Sequence, residues 1–226
     1  DTNSSLLRQL SEKAPGTFQH SMQVANLAEA AAAEIGANTL LVRVGALYHD
    51  IGKILSPAFF TENQQGGVNP HDSLTYKESA QIIIAHVNNG VKLAEENNLP
   101  VVIREFILTH HGRGLAKYFY INYQNEHPDE IVDKEPFPFP GPNPSTREQA
   151  ILMMADTCEA ASHSLSDYTE ESISNLVNKL IDQQVADGFF AECRITFYDI
   201  AIAKQVLIER LKAMYHTRIQ YPTAKS

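Results

Sequence analysis

Apolar side chains recur at helical spacing in nearly every long stretch of this chain, and alternating, β-branched, hairpin-punctuated runs are scarce. That pattern predicts an all-α protein. A first helix is expected over 18–35, with Thr17 as its N-cap and Gly36 as its stop, after Met22, Val24, Leu27 and the alanines at 30–33. Asn38 caps a second, running from about Thr39 to Asp50. Gly52 then stands where a left-handed C-terminal residue would. Residues 56–71, with Pro57, Gly66, Gly67 and Pro70, form a loop, and His71 or Asp72 caps a long helix from about Ser73 to Asn97. Pro100 opens the next, which ends at Thr109-His110-His111-Gly112, and an aromatic segment, 115–123, is also helical. Six prolines between Glu126 and Ser145 are too many for a helix and predict an ordered loop or lid. Three further amphipathic helices are expected over 147–163, 169–186 and 197–215.

With 226 residues, 43% of them apolar, the chain suits one domain spanning 1–226, with its core at about 15–215. Charge narrows the partners. A net charge of -9, from 18 basic against 27 acidic residues, repels polymeric nucleic acid and anionic membrane surfaces. Cys158 and Cys193 lie in apolar helical contexts without CxxC spacing and read as buried thiols. No apolar run reaches the roughly 20 residues needed to span a bilayer, and Asp1-Thr2-Asn3-Ser4-Ser5 lacks a signal peptide's charged and apolar regions. A cytoplasmic location is expected. The start without methionine suggests a piece of something longer.

Five of the nine histidines, His20, His49, His86, His110 and His111, fall where helices turn or show an otherwise apolar face. His86 follows Ile82-Ile83-Ile84-Ala85, and an imidazole among aliphatic side chains needs partners for its nitrogens. Asp156, inside an apolar run from Ala150, likewise needs a cation or several donors if it is buried. Each has a plainer reading taken singly: a hydrogen-bonded core histidine, a solvent-facing aspartate, or, for His110-His111, a helix end whose imidazoles meet the last carbonyls.

Together these residues resemble the signature of the HD-domain metal-dependent phosphohydrolases, a distant His (His20), a His-Asp doublet (His49-Asp50) and a later Asp (Asp156). His86 and His110-His111 are similar to the extra histidines of the subgroup with a second metal. Within that subgroup, His49-Asp50-Ile51-Gly52-Lys53, Glu62-Asn63-Gln64, Asn69-Pro70-His71-Asp72, His110-His111-Gly112, Tyr118-Phe119-Tyr120 and Gly141-Pro142 look like the cyclic di-AMP phosphodiesterases that carry an HD domain behind a seven-helix membrane region. The related cyclic di-GMP enzymes carry Gly-Tyr-Pro after the paired histidines, where this chain has Gly112-Arg113-Gly114-Leu115.

The resemblance implies a helical bundle with a dinuclear metal site in its core. One ion would be held by His20, His49, Asp50 and Asp156, the other by Asp50, His86, His110 and His111, with Asp50 shared. If both ions are six-coordinate, about four of their positions remain for a bridging hydroxide, the expected nucleophile, and two phosphate oxygens. Two divalent ions, two aspartates and a hydroxide leave a charge of about +1 to attract a phosphodiester. Imidazole-rich donors favour iron or manganese over magnesium, and zinc or nickel also suit them. Lys53 could hold a phosphate oxygen or protonate the leaving oxygen, or be a surface lysine beyond a helix stop. Arg113 and Lys117 are the next candidates for the second phosphate, or else solvated helix charges. Tyr118, Phe119 and Tyr120 could stack on adenine or belong to a core. His71 is read as structural, and His127, His163 and His216 are given no role. The expected substrate is a small nucleotide, cyclic di-AMP, opened to linear pApA. General nucleotide hydrolysis, di-iron oxygenation and non-catalytic ligand sensing are the competing functions.

Overall fold

A computed structural model describes residues 4–216. The Asp1-Thr2-Asn3 start weighed above lies outside the described residues. These form nine α-helices and no β-strand beyond an isolated bridge between Leu115 and Pro138.

The first helix, α1 (Ser5–Lys13), was not expected from the sequence. It is short and polar on average, but Leu6, Leu7 and Leu10 are buried on one face, so the packed core begins before the expected 15–215 span. The long α2 (Pro15–Glu34) starts two residues before the predicted cap. Pro15 supplies a preset φ at the first turn. Thr17 is therefore inside the helix, where its hydroxyl donates to Glu62 at 2.9 Å. Gly36 ends α2 as expected, at φ +68°, with Ala37 N–H closing back onto Ala32 C=O. The alanine stripe of α2 lets α3 (Thr39–Tyr48), α7 (Arg147–Ser162) and α9 (Phe197–His216) pack closely around it.

Asn38 caps α3 through Leu41 N–H, and the helix ends on His49 and Asp50. Residues 51–73 then hold four short 3-10 turns: 51–55, 57–59, 61–63 and 70–73. Gly52 lies in the first of these, without a positive φ. Its requirement is space, since a Cβ there would sit 1.8 Å from the His86 carbonyl oxygen. The long α4 (Tyr76–Glu96) begins later than expected, at a Thr75/Glu78 capping box. Neither His71 nor Asp72 caps it.

The fifth helix, α5 (Val101–Thr109), delivers His110 at its C-cap, and α6 (Lys117–Glu126) carries the aromatic segment. The proline-rich stretch that follows is an ordered loop with a small core of its own. Phe137 and Phe139 are buried with Ala80, Val87 and Ala116, pinned by Ala116 N–H to Phe137 C=O at 2.8 Å and Phe139 N–H to Gly114 C=O at 2.7 Å. The expected amphipathic helix at 147–163 is instead buried nearly all round, with every residue from Gln149 to Asp156 inside. Finally, α8 (Glu170–Ala186) packs against α7 and α9. Cys158 is buried, whereas Cys193 is only half-buried. No helix of the described residues is long and apolar enough to cross a membrane.

The contact between Gly52 and α4 yields a stability prediction. Gly52→Ala forces a side chain into backbone and costs about 3 kcal/mol or more. Gly36→Ala, which meets open space, costs only about 1 kcal/mol for its left-handed φ. Urea unfolding of the two variants should give midpoints in that order, and equal midpoints would contradict it.

Candidate metal centre

Five helix segments converge on Asp50. From α2 comes His20, from the end of α3 come His49 and Asp50, from α4 His86, from the end of α5 His110 and His111, and from α7 Asp156. These seven residues form two groups of possible ligands, Asp50 with His86, His110 and His111, and Asp50 with His20, His49 and Asp156. Within each group the ligand atoms all lie within 4.8 Å of one another. The structure thus brings together all seven residues in the expected partition.

The two oxygens of Asp50 face different halves. Oδ1 lies 3.3 Å from His86 Nε2 and 3.4 Å from His110 Nε2. Oδ2 lies 3.3 Å from His49 Nε2 and 3.9 Å from His20 Nε2. Asp156 Oδ1 completes the second half, 2.7 Å from His20 Nε2 and 3.4 Å from His49 Nε2.

Helical geometry aims the imidazoles. His49 Nδ1 donates to Ala46 C=O at 2.6 Å, His110 Nδ1 to Ile107 C=O at 2.7 Å, and His86 Nδ1 to Ile83 C=O. Each bond reaches back three residues and engages Nδ1 as a donor, leaving Nε2 directed at Asp50. His86 Nε2 and His110 Nε2 then stand 3.1 Å apart on the same side of Asp50. Adjacent ligands on metal–nitrogen bonds of about 2.1 Å are separated by roughly 3 Å, so this spacing suits two nitrogens on one cation. His49 Nε2 and Asp50 Oδ1 are buried without a hydrogen-bond partner, an expensive condition that a cation relieves. The donor set therefore fits divalent metal.

Burial would raise the carboxyl groups, yet Asp50 is held well below the usual range by Lys53 and His49, and Asp156 by His49 and His20. Burial alone would lower the imidazoles. Asp156 and Glu159 outweigh it at His20, pushed up to about 9, and Asp50 and Asp156 do so at His49, pushed up to about 10. His110 moves down through burial, and His111 well down through burial and its neighbours His110 and His86.

The site opens into a cleft of about 1010 Å³, lined by His20, Asp50, Lys53, Glu62, His111 and Asp156, with Gln19 and Gln23 from α2 and Tyr215 from α9. Lys53 Nζ is 2.9 Å from Asp50 Oδ2 and 2.7 Å from Glu62, above the Phe60 ring. It is the one lysine or arginine lining the cleft among the described residues. Arg113 and Lys117 are not brought there. Arg113 is exposed against Gly141 with its N–H on Asn143, and Lys117 lies 3.7 Å from Asp187. Neither is among the residues that line the cleft. Tyr118, Phe119 and Tyr120 do not line it either. Phe119 and Tyr120 pack on the loop core, and His71 bonds Phe59 C=O at 2.7 Å.

Three contributors were not picked out from the sequence. Glu159 is 1% exposed and bonds His20 Nδ1. Its signal was the spacing of three from Asp156, which puts both carboxyl groups on one face of α7. Glu62 was noticed only within a motif, and it holds Lys53 and Thr17. Phe139 stacks on His111, with centroids 4.3 Å apart, a contact between distant segments that nothing local announces. His163, given no role, bonds Glu159 at 2.7 Å.

A family model described as HD domain matches residues 17–161. The chain belongs to the HD domain family. It is 47% identical to the cyclic-di-AMP phosphodiesterase PgpH of Listeria monocytogenes over 99% of this chain and 31% of that protein. To the cyclic-di-AMP phosphodiesterase PgpH of Bacillus subtilis it is 41% identical over 98% of this chain and 31% of that protein. The chain thus spans about a third of the length of these curated relatives. The HD domain of the Listeria phosphodiesterase PgpH, solved in complex with cyclic-di-AMP, superposes with a TM-score of 0.91 at 45% identity, covering 95% of this chain and all of that one.

The protonated state of His20 and His49 sets the pH dependence of loading. A metal must displace protons that these rings hold up to about 9 and about 10 in the metal-free chain, so affinity rises as pH rises towards that range and falls as pH is lowered. Calorimetric titration of Mn2+ at pH 7 in buffers of different ionisation enthalpy should show proton release. Heats independent of the buffer would contradict it.

Proposed function

We propose that this chain is a metal-dependent phosphodiesterase that opens cyclic di-AMP to linear pApA, using two divalent ions, iron or manganese. The observation that carries the reading is Asp50, whose two oxygens face separate halves of a ligand cluster at the floor of a dinucleotide-sized cleft. The names of the relatives and the bound nucleotide of the structural neighbour support the substrate.

The ions, when bound, supply the charge that makes water nucleophilic at neutral pH and screens the phosphate oxygens. The protein supplies the rest. His49, His86 and His110 are locked by backbone carbonyls before any substrate arrives, so little reorganisation remains at the moment of reaction. Lys53 Nζ, beside Asp50 and at the cleft wall, is placed to bond a phosphate oxygen. Asp50 and Glu62 raise its affinity for its proton, although burial opposes them, which suits a charged donor better than an acid that must let its proton go. Glu62 holds the ammonium until a phosphate takes its place.

Base choice follows from the cleft wall. Gln19 and Gln23, one turn apart on α2, line the cleft. A carboxamide matches adenine's paired donor and acceptor, N6–H and N7, whereas guanine's O6 and N7 call for a cationic fork. No arginine lines the cleft among the described residues.

Two outcomes test this reading. The Mn2+-loaded chain should turn over cyclic di-AMP without dioxygen, and Asp50→Ala should lose about a thousandfold or more in kcat. If the loaded chain cleaves mononucleotides and leaves cyclic di-AMP intact, the substrate assignment fails while the hydrolase survives. Replacing Gln23 with Ala should cut the preference for cyclic di-AMP over cyclic di-GMP, measured as a ratio of kcat/KM, by about tenfold, and an unchanged ratio would remove Gln23 from base recognition.

A further inference from the structure

We propose that Glu159 is a positioning residue that fixes His20 for one half of the metal cluster and makes the two halves unequal in charge. The proposal rests on the dinuclear reading given above.

His20 is oriented differently from the other imidazoles. His49, His86 and His110 each give Nδ1 to the carbonyl three residues back on their own segment. His20 instead gives Nδ1 to Glu159 Oε2, a carboxylate from α7, 139 positions away. A backbone carbonyl satisfies a ring proton at no desolvation cost beyond the helix itself. A carboxylate that is 1% exposed carries a large one, so its placement against a ligand is a costly choice that needs a return.

The return is twofold. Asp156 and Glu159 are spaced by three on α7, so one rigid helix sets both the carboxylate beside His20 Nε2 and the one behind its Nδ1. The His20 ring is thereby clamped from both nitrogens. Glu159 also adds charge to one half only. The half with His20 and His49 has Asp50, Asp156 and Glu159 around it, while the half with His86, His110 and His111 has three imidazoles and its share of Asp50. The other Glu159 oxygen meets His163 Nε2 at 2.7 Å, and this ring is mostly exposed.

The structure therefore assigns the His20 half as the tighter position, dependent on Glu159. The test uses Mn2+ on the whole chain, with metal content after dialysis against a chelator and the electron paramagnetic resonance spectrum as readouts. Wild type should keep two ions with the spectrum of a coupled pair. Glu159→Gln, which keeps shape and an acceptor but not charge, should bind one ion as before and the second about 10- to 100-fold more weakly, giving the spectrum of an isolated ion. Glu159→Ala should do at least as much, and His163→Ala should keep both ions. A Glu159→Gln protein that holds two coupled ions at wild-type affinity, or that loses both in parallel, overturns the proposal. If wild type itself fails to take up two ions, the dinuclear reading falls and this inference with it.

Discussion

Burying a carboxylate without a counter-charge costs more than almost any other substitution a core can carry. Asp50 is 2% exposed, at the junction of five helix segments. Everything close to it answers that cost. Lys53 reaches back three residues to its Oδ2, imidazoles approach both of its oxygens, and the cleft opens beside it rather than over an apolar floor. The cluster is organised for positive charge whether protons or ions provide it.

This constraint accounts for several local features of the fold. His49 and His110 sit at helix ends, where a free carbonyl three residues back can take the Nδ1 proton. Gly52 has no side chain because the turn after Asp50 must lie directly on the His86 backbone. The proline-rich loop brings Phe139 flat against His111, walling that half of the site with an apolar face. Because neighbouring carboxylates raise the proton affinity of His20 and His49 while burial lowers that of His110 and His111, the halves differ before any metal arrives.

Much of the site was legible in the sequence because its ligands are local anomalies: a histidine after three isoleucines, an aspartate in an apolar run, paired histidines before a glycine. The helix stops at Gly36 and the cap at Asn38 were readable for the same reason, since each depends on neighbours in sequence. What escaped depends on distant contacts. The polar average of α1 hid three leucines that find their partners only in the fold. Thr17 looked like a cap, but its hydroxyl is claimed by Glu62. Arg113 and Lys117 follow the histidine pair closely in sequence, yet neither is among the residues that line the cleft. Glu159 reads as an ordinary helix glutamate until α2 is laid beside α7.

The central claim, that one carboxylate is shared by two ions, is tested most directly by anomalous diffraction at the manganese edge from crystals of the Mn2+-loaded chain. The account predicts two peaks about 3.5–4 Å apart, one bonded to Asp50 Oδ1 and the other to Asp50 Oδ2. A single peak, or two peaks of which either lies out of bonding range of Asp50, would contradict it.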